Sequence, residues 1–209
     1  LDRVAQRQTS YGIWDISREN LQAIFGRQAI SMMFDYPESN PFSNYGGGAL
    51  NQLEWIVRYI EEESKQIFYS ICKHSSSGDV TQFEKGFINA TVTDPPYYDA
   101  IAYADLSDFF YVWLKRSIGK YYVYNFSTPL TPKSEECTAL KHHREGDMEK
   151  AKQHFENKLK EIFTAINYQI SEDGIVSIMF AHQSTEAWAT LCNSILLSRD
   201  RKSTRLNSS

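Results

Sequence analysis

Asp94-Pro95-Pro96-Tyr97 follows the apolar run Phe87-Ile88-Asn89-Ala90-Thr91-Val92-Thr93, and these residue types in this order suit one narrow kind of chemistry. A carboxylate at Asp94 and the backbone carbonyl of Pro95 can accept the two N–H groups of an exocyclic base amine. Such acceptors draw the nitrogen lone pair toward an incoming electrophile and bind more strongly as positive charge develops on nitrogen. Proline suits the position because its φ is fixed and it brings no N–H to compete for the acceptors. Tyr97 then offers a flat face for the base, and an aromatic–base stack contributes about 1–3 kcal/mol. In duplex DNA the base has to be flipped out to reach such a site. The methyl group of S-adenosylmethionine, already activated on a sulfonium, is the matching electrophile, and the protein mainly holds the two in line. A structural Asp-Pro-Pro turn beside a tyrosine is the alternative. A strand before the tetrapeptide and a helix after it separate the two, and the sequence carries both patterns.

The elements that must position the tetrapeptide read as alternating helix and strand. Leu50, Leu53, Ile56, Val57 and Ile60 recur at helical spacing after Gly46-Gly47-Gly48, predicting a helix of about five turns with an acidic outer face. Gln66 to Cys72 reads as a short strand, Ser75 to Asp79 as a turn, and Phe87 to Thr93 as the strand that delivers the motif to its carboxyl end, the edge where open α/β sheets bind ligands. Leu106, Phe109, Phe110, Trp113 and Leu114 then predict a helix packed on the sheet and capped by Asp105 or Ser107. From Gly119 to Gly146 the pattern is lost and Pro129 and Pro132 intervene, a long excursion that serves as a lid, a substrate contact or a plain insertion. Ala151, Phe155, Leu159, Ile162, Phe163, Ile166 and Ile170 mark an amphipathic helix with Glu156 and Lys160 paired on its wet side. Gly174 to Phe180 reads as a buried strand, and Trp188, Leu191, Ile195 and Leu196 as a final helix. The alternation predicts an α/β fold, a mainly parallel sheet with helices on both faces.

The flanks of the tetrapeptide narrow the reading. Thr93-Asp94-Pro95-Pro96-Tyr97-Tyr98-Asp99-Ala100 and the stretch from Tyr103 to Arg116 resemble a family of adenine-specific DNA methylases, large bacterial and archaeal proteins that often carry a zinc ribbon. The resemblance continues through Gly26-Arg27-Gln28-Ala29, Asp35-Tyr36-Pro37-Glu38, Asn40-Pro41-Phe42-Ser43, Thr128 to Lys133 and Phe180 to Trp188, reaching about Arg199. It implies a Rossmann-like S-adenosylmethionine-dependent methyltransferase fold with Asp94, Pro95, Pro96 and Tyr97 as its catalytic residues. It also implies DNA as substrate, and defence-system partner proteins for those members encoded near restriction or anti-phage genes. The strand ending at Asp94 would be the fourth of that fold and the strand ending near Phe180 the fifth.

Two features of the family are missing from the sequence: a Gly-rich cofactor motif well before the tetrapeptide, and the zinc ribbon. With a start at Leu1 rather than Met, the expectation is an internal fragment in which residues 1–199 are the catalytic half of the methyltransferase domain, binding S-adenosylmethionine weakly or not at all and inactive by themselves. Residues 200–209 read as a translated sequencing adapter and are set aside from fold reasoning.

Charge bears on the partner. The sequence has 22 basic and 26 acidic residues, net −4; without the three basic and one acidic residues of 200–209 the balance is 19 to 25. Phosphate binding requires clustered Lys and Arg. The candidates are Lys115, Arg116 and Lys120, then Lys133, Lys141, His142, His143 and Arg144, with an ordinary solvated surface as the alternative. Nearer the motif, Tyr98, Asp99 and Tyr103 are placed to line a base pocket, as is Asp108 one turn further on, although such residues also cap helices. Asn40 could reach over the cofactor or merely start a turn. His182 sits at a strand's carboxyl end, while Ser184 reads as a helix cap.

With 42 % hydrophobic and 14 % aromatic residues, the chain can bury a core of its own, and its length suits one domain. No apolar run approaches a membrane span. Cys72, Cys137 and Cys192 are odd in number and widely spaced, fitting neither a disulfide framework nor a zinc site, and the expectation is reduced thiols in a cytoplasmic protein. Three functions survive: methylation of adenine N6 in DNA, or less readily cytosine N4; the same chemistry on an RNA guanine; and a non-catalytic nucleic-acid-binding subunit of a defence system. Protein-glutamine methyltransferases usually begin the tetrapeptide with Asn, so Asp94 disfavours a protein substrate.

Overall fold

The computed structural model describes residues 2–26, 28–30, 32–38, 40–43, 48–66 and 76–198. Its elements in chain order are α1 (Asp2–Ala5), β1 (Trp14–Asp15), β2 (Asn20–Leu21), α2 (Ala49–Glu63), β3 (Ile88–Thr93), α3 (Tyr103–Ile118), α4 (Met148–Gln169), β4 (Ile170–Ile178) and α5 (Thr185–Ser198), with short 3₁₀ turns at Ile24–Gly26, Lys133–Glu135 and Lys141–His143. Of the expected strand at 66–72 all but Gln66, and of the Gly46-Gly47-Gly48 break all but Gly48, fall outside the described residues. So does the segment 200–209. The chain packs as two compact units: Leu1–Ser70 with Tyr103–Pro132, and Ile71–Ala102 with Lys133–Ser209.

In the first unit, β1 and β2 form a short antiparallel pair, Trp14 opposite Leu21 and Asp15 opposite Asn20. The Asp15 carboxylate organises the turn between them, accepting from the Ser17 N–H and hydroxyl at 2.9 and 2.6 Å and from Gln22 Nε2 at 2.6 Å. Hydrogen bonding, led by the Ser17 hydroxyl, holds that carboxyl below the usual Asp range. Leu21 and Ile24 are buried, and Phe25 meets the rings of Phe109 and Phe110 at 5.6 and 5.3 Å.

Helix α2 forms where the apolar spacing predicts it, but Leu50, Leu53, Trp55, Ile56 and Ile60 are exposed and its buried residue is Gln52. Periodicity specified a helix there without specifying a cover. Helix α3 begins at Tyr103, so Asp105 lies inside its first turn, where a carboxylate favours the helix dipole, and neither Asp105 nor Ser107 is its cap. Its buried residue is Tyr111, and Trp113 stays 37 % exposed.

The second unit is built on β3 and β4, which pair in parallel from Ala90↔Ile175 to Thr93↔Ile178 after a register shift that follows Ile88↔Ile170. Helix α4 starts at the end of the long excursion, where Glu145 and Gly146 both adopt positive φ, 58° and 82°. Asp147 then caps it, accepting from the N–H groups of Glu149 and Lys150 at 2.9 and 3.1 Å. The inner face of α4 buries Ala151 and presents Phe155, Leu159 and Phe163, which pack with Tyr98, Ala139 and the Ala187 and Leu191 of α5 into one core. Lys158 lies 3.2 Å from Glu135 and 3.3 Å from Glu161, Lys150 pairs with Glu145 and Lys152 with Glu186, whereas the expected Glu156–Lys160 pair does not form among the described residues. Glu156 faces Thr190 at 3.5 Å.

The fold is thus mixed α/β with a small parallel sheet. The sheet has two strands among the described residues, and β4 is not the buried strand its composition suggests: Ile175 is 70 % exposed and Val176 40 %. A run of apolar residues is fully buried in a parallel sheet only when strands and helices cover it on both sides. Here Ile178 and Phe180, at and beyond the strand's end, are the residues that reach the helical core.

Candidate active site

The tetrapeptide leaves β3 at its carboxyl end, next to the end of β4, where the Met179 N–H donates to the Thr93 carbonyl at 2.8 Å. Asp94 is exposed and Pro95 is buried. The Pro96 carbonyl is taken by the Tyr98 N–H at 3.0 Å, and that of Tyr97 by the Ala100 N–H at 2.9 Å. Among the described residues, no donor bonds to the Asp94 carboxylate or the Pro95 carbonyl. Two tight turns therefore satisfy the later carbonyls and leave those two acceptors for something else.

Tyr97 is half-buried, its ring edge-on to Phe180 at 5.9 Å. Phe180 in turn meets Trp188 edge-on at 5.1 Å. Tyr98 goes the other way. It is 6 % exposed, edge-on to Phe155 at 5.1 Å, and its carbonyl accepts from the Ala139 N–H at 3.0 Å. Its φ of 56° lies in the left-handed region that non-glycine residues avoid. Successive tyrosines thus differ in environment: Tyr97 is half-buried against Phe180, while Tyr98 is buried in the core and also meets the His182 ring at 5.8 Å. Burial, with Glu186 as the next cause, pushes the Tyr98 phenol above its ordinary range.

Asp99 finds a partner that spacing in the sequence does not reveal. His182 Nε2 lies 3.4 Å from Asp99 Oδ1. His182 Nδ1 accepts from the Ser184 N–H at 3.0 Å, which puts the ring proton of the neutral imidazole on Nε2, facing Asp99. The His182 carbonyl accepts from Trp188 Nε1 at 3.0 Å. Ser184 Oγ accepts from the Glu186 N–H at 3.1 Å, the expected cap of α5. His182 thereby links the segment after β4 to the segment after the tetrapeptide. A histidine just past a strand's carboxyl end was the available sign of this; its partner needed the fold.

The remaining expected residues divide by unit. Tyr103 opens α3 in the first unit and is 37 % exposed. Asp108 accepts from the Thr131 N–H and hydroxyl at 2.9 and 2.5 Å, tying α3 to the loop that follows. Asn40 Oδ1 accepts from the Phe42 N–H at 3.0 Å, a side-chain-closed turn. Of the cations, Lys115 donates to the Thr128 carbonyl and stands over the Tyr111 ring, and Arg116 is exposed. In the second unit, Arg144 donates to the carbonyls of His143 and Ser134, both at 2.8 Å, and straps the excursion to itself. Lys133 opens a 3₁₀ turn. On the α4 side of the motif a cavity of about 260 Å³ touches Pro96, Cys137 and the Lys158 pairs.

The two strand ends offer hydrogen-bond acceptors and an aromatic ring, without a glycine turn beside them. No glycine occurs at 94–102 or 179–184, so neither strand end carries the turn through which backbone approaches a nucleotide closely. Comparison with protein-family models, with curated proteins and with solved structures returns no match for this chain.

Proposed function

We propose that the carboxyl ends of β3 and β4 form the amine-binding half of a DNA amino-methyltransferase of Rossmann-like fold, acting on adenine N6. The observation that carries this reading is the pair of acceptors at Asp94 and Pro95, unclaimed among the described residues and followed by a half-buried aromatic ring. Asp94 accepts one proton of the amine and the Pro95 carbonyl the other. Both are held before the reaction begins, so no reorganisation is needed as charge develops on nitrogen. Tyr97, steadied edge-on by Phe180, takes the face of the flipped base. Burial of Pro95 and of Tyr98 fixes the backbone of the motif that carries these groups. S-adenosylmethionine is the methyl donor in this reading, and its cradle is not among the features described above.

The test is methyl transfer from methyl-labelled S-adenosylmethionine to unmethylated DNA by the protein that carries this chain, with digestion and mass spectrometry of the nucleosides. N6-methyladenine is the expected product. Asp94→Ala, which deletes one of two amine acceptors, lowers turnover by about 10²–10³-fold with cofactor affinity little changed. Unchanged turnover in that variant removes Asp94 from the chemistry, and a labelled protein in place of labelled DNA overturns the substrate.

A further inference from the structure

From Phe109 to Ser134 the sequence contains no acidic residue and four cations, Lys115, Arg116, Lys120 and Lys133, in a chain of net charge −4. Within that stretch, just past α3, three tyrosines stand in water: Tyr121 is 71 % exposed, Tyr122 56 % and Tyr124 96 %, with Val123 exposed between them. Single exposed aromatics are ordinary, but a contiguous group of them marks a place where something binds.

The tip is held out rather than left loose. Gly119 N–H donates to Lys115 O at 3.2 Å and Phe126 N–H to Tyr122 O at 3.2 Å, which closes the turn. On its far side Phe126 packs on Tyr111 at 5.1 Å, and the Tyr111 hydroxyl donates to Thr128 O at 2.8 Å. The Thr131 contacts to Asp108 and to the Ala104 carbonyl complete the strap. The chain is thus pinned at 126–131, and the rings of Tyr121, Tyr122 and Tyr124 are exposed beside that anchor. Lys120 Nζ stands 4.8 Å from the Tyr121 ring centre, and neither Lys120 nor Arg116 forms an ion pair among the described residues.

We propose that this tip is a binding surface for single-stranded DNA. Unpaired bases stack on the tyrosines while Arg116 and Lys120 meet phosphates, the combination that single-strand binders use without reading sequence. Duplex DNA hides the base faces that the rings require, and a run of four cations with no acidic residue suits a polyanion that also offers flat faces to stack. Only the choice of DNA over RNA rests on the methyltransferase reading; the stacking surface stands without it.

The experiment is fluorescence anisotropy of the whole chain with a fluorescein-labelled oligothymidylate of about twenty nucleotides, with oligouridylate and duplex of equal length alongside. Oligothymidylate binds tightest. Tyr122→Ala with Tyr124→Ala weakens it by at least about thirtyfold, whereas the matching Phe pair stays within about twofold, because phenylalanine stacks as well. Arg116→Gln and Lys120→Gln each lower the slope of log affinity against log salt by about 0.7. All four positions are exposed, and unchanged circular dichroism confirms folding. Alanine variants that bind like the wild type, a Phe pair as weak as the Ala pair, tighter binding to oligouridylate or duplex, or affinity only for anionic lipid vesicles would each overturn the proposal. Because the readout is binding, its outcome is independent of whether the chain transfers methyl groups.

Discussion

Tyr98 combines two properties that single substitutions can separate: a buried ring and a left-handed backbone. Replacing it with alanine removes a ring that is 6 % exposed and edge-on to Phe155 at 5.1 Å. Deletion of a buried aromatic side chain costs about 3–5 kcal/mol, so Tyr98→Ala is expected near the middle of that range. Alanine still has a Cβ, and at φ 56° it keeps the steric cost of that conformation, about 1–2 kcal/mol. Glycine at the same position loses the same ring but escapes that cost, against about 0.5–1 kcal/mol for its greater freedom in the unfolded chain. Tyr98→Gly should therefore be more stable than Tyr98→Ala by about 0.5 kcal/mol, reversing the usual order. Tyr111, buried in the middle of α3, supplies the contrast. There Tyr111→Gly should fall below Tyr111→Ala by about 1 kcal/mol, as helix propensity requires. Urea unfolding followed by far-ultraviolet circular dichroism reads both comparisons as shifts in midpoint at a common slope. If alanine is the more stable of the two at position 98, the backbone there is not left-handed, and the reasoning that divides Tyr97 from Tyr98 fails with it.

Two further expectations concern titration and reactivity in the second unit. Burial pushes the His154 imidazole below its usual 6.5, outweighing its hydrogen bond to the Glu136 carbonyl. The unfolded chain then binds a proton that the folded chain refuses, so this contribution to stability is present above about 6.5 and is lost as pH falls through the folded pKa; His154→Gln should flatten the urea midpoint between about pH 7.5 and 5.5. The Cys137 thiol is pushed up to about 12 by burial, while Cys192 is exposed. Iodoacetamide at about pH 8 should label Cys192 in the folded protein and reach Cys137 only when urea is added, as peptide mapping by mass spectrometry would show; equal labelling without urea refutes the burial of Cys137.

How far these features could be read in advance depended on whether their cause was local. The inner face of α4 was legible because Ala151, Phe155, Leu159 and Phe163 recur at helical spacing and all four are buried. The Ser184 cap and the strand leading into Asp94 were legible for the same reason. Helix α2 shows the limit: its apolar stripe announces a helix, yet nothing in its own residues says what covers Leu50, Leu53 and Ile60. Strand β4 shows it again, since β-branched residues such as Ile175 and Val176 favour a strand but burial depends on neighbouring strands. The β1–β2 pair was missed because each strand is two residues long, too short for alternation to register. In the candidate site, Asp94 to Tyr97 announced themselves through residue type. Which carbonyls remained open, and that Asp99 would meet His182, depended on turns and on strand pairing between distant segments.

The division of the chain into two units has a consequence for how the protein can be taken apart. The boundaries fall at Ser70/Ile71, Ala102/Tyr103 and Pro132/Lys133, so the polypeptide passes from one unit to the other three times. No single peptide-bond cleavage can release either unit whole. To make the second unit by itself, a gene would have to join Ala102 directly to Lys133, and the excised piece, Tyr103–Pro132, is helix α3 together with its tyrosine tip. Excision therefore parts the acceptor pair from the aromatic surface in one step, leaving each to be assayed without the other.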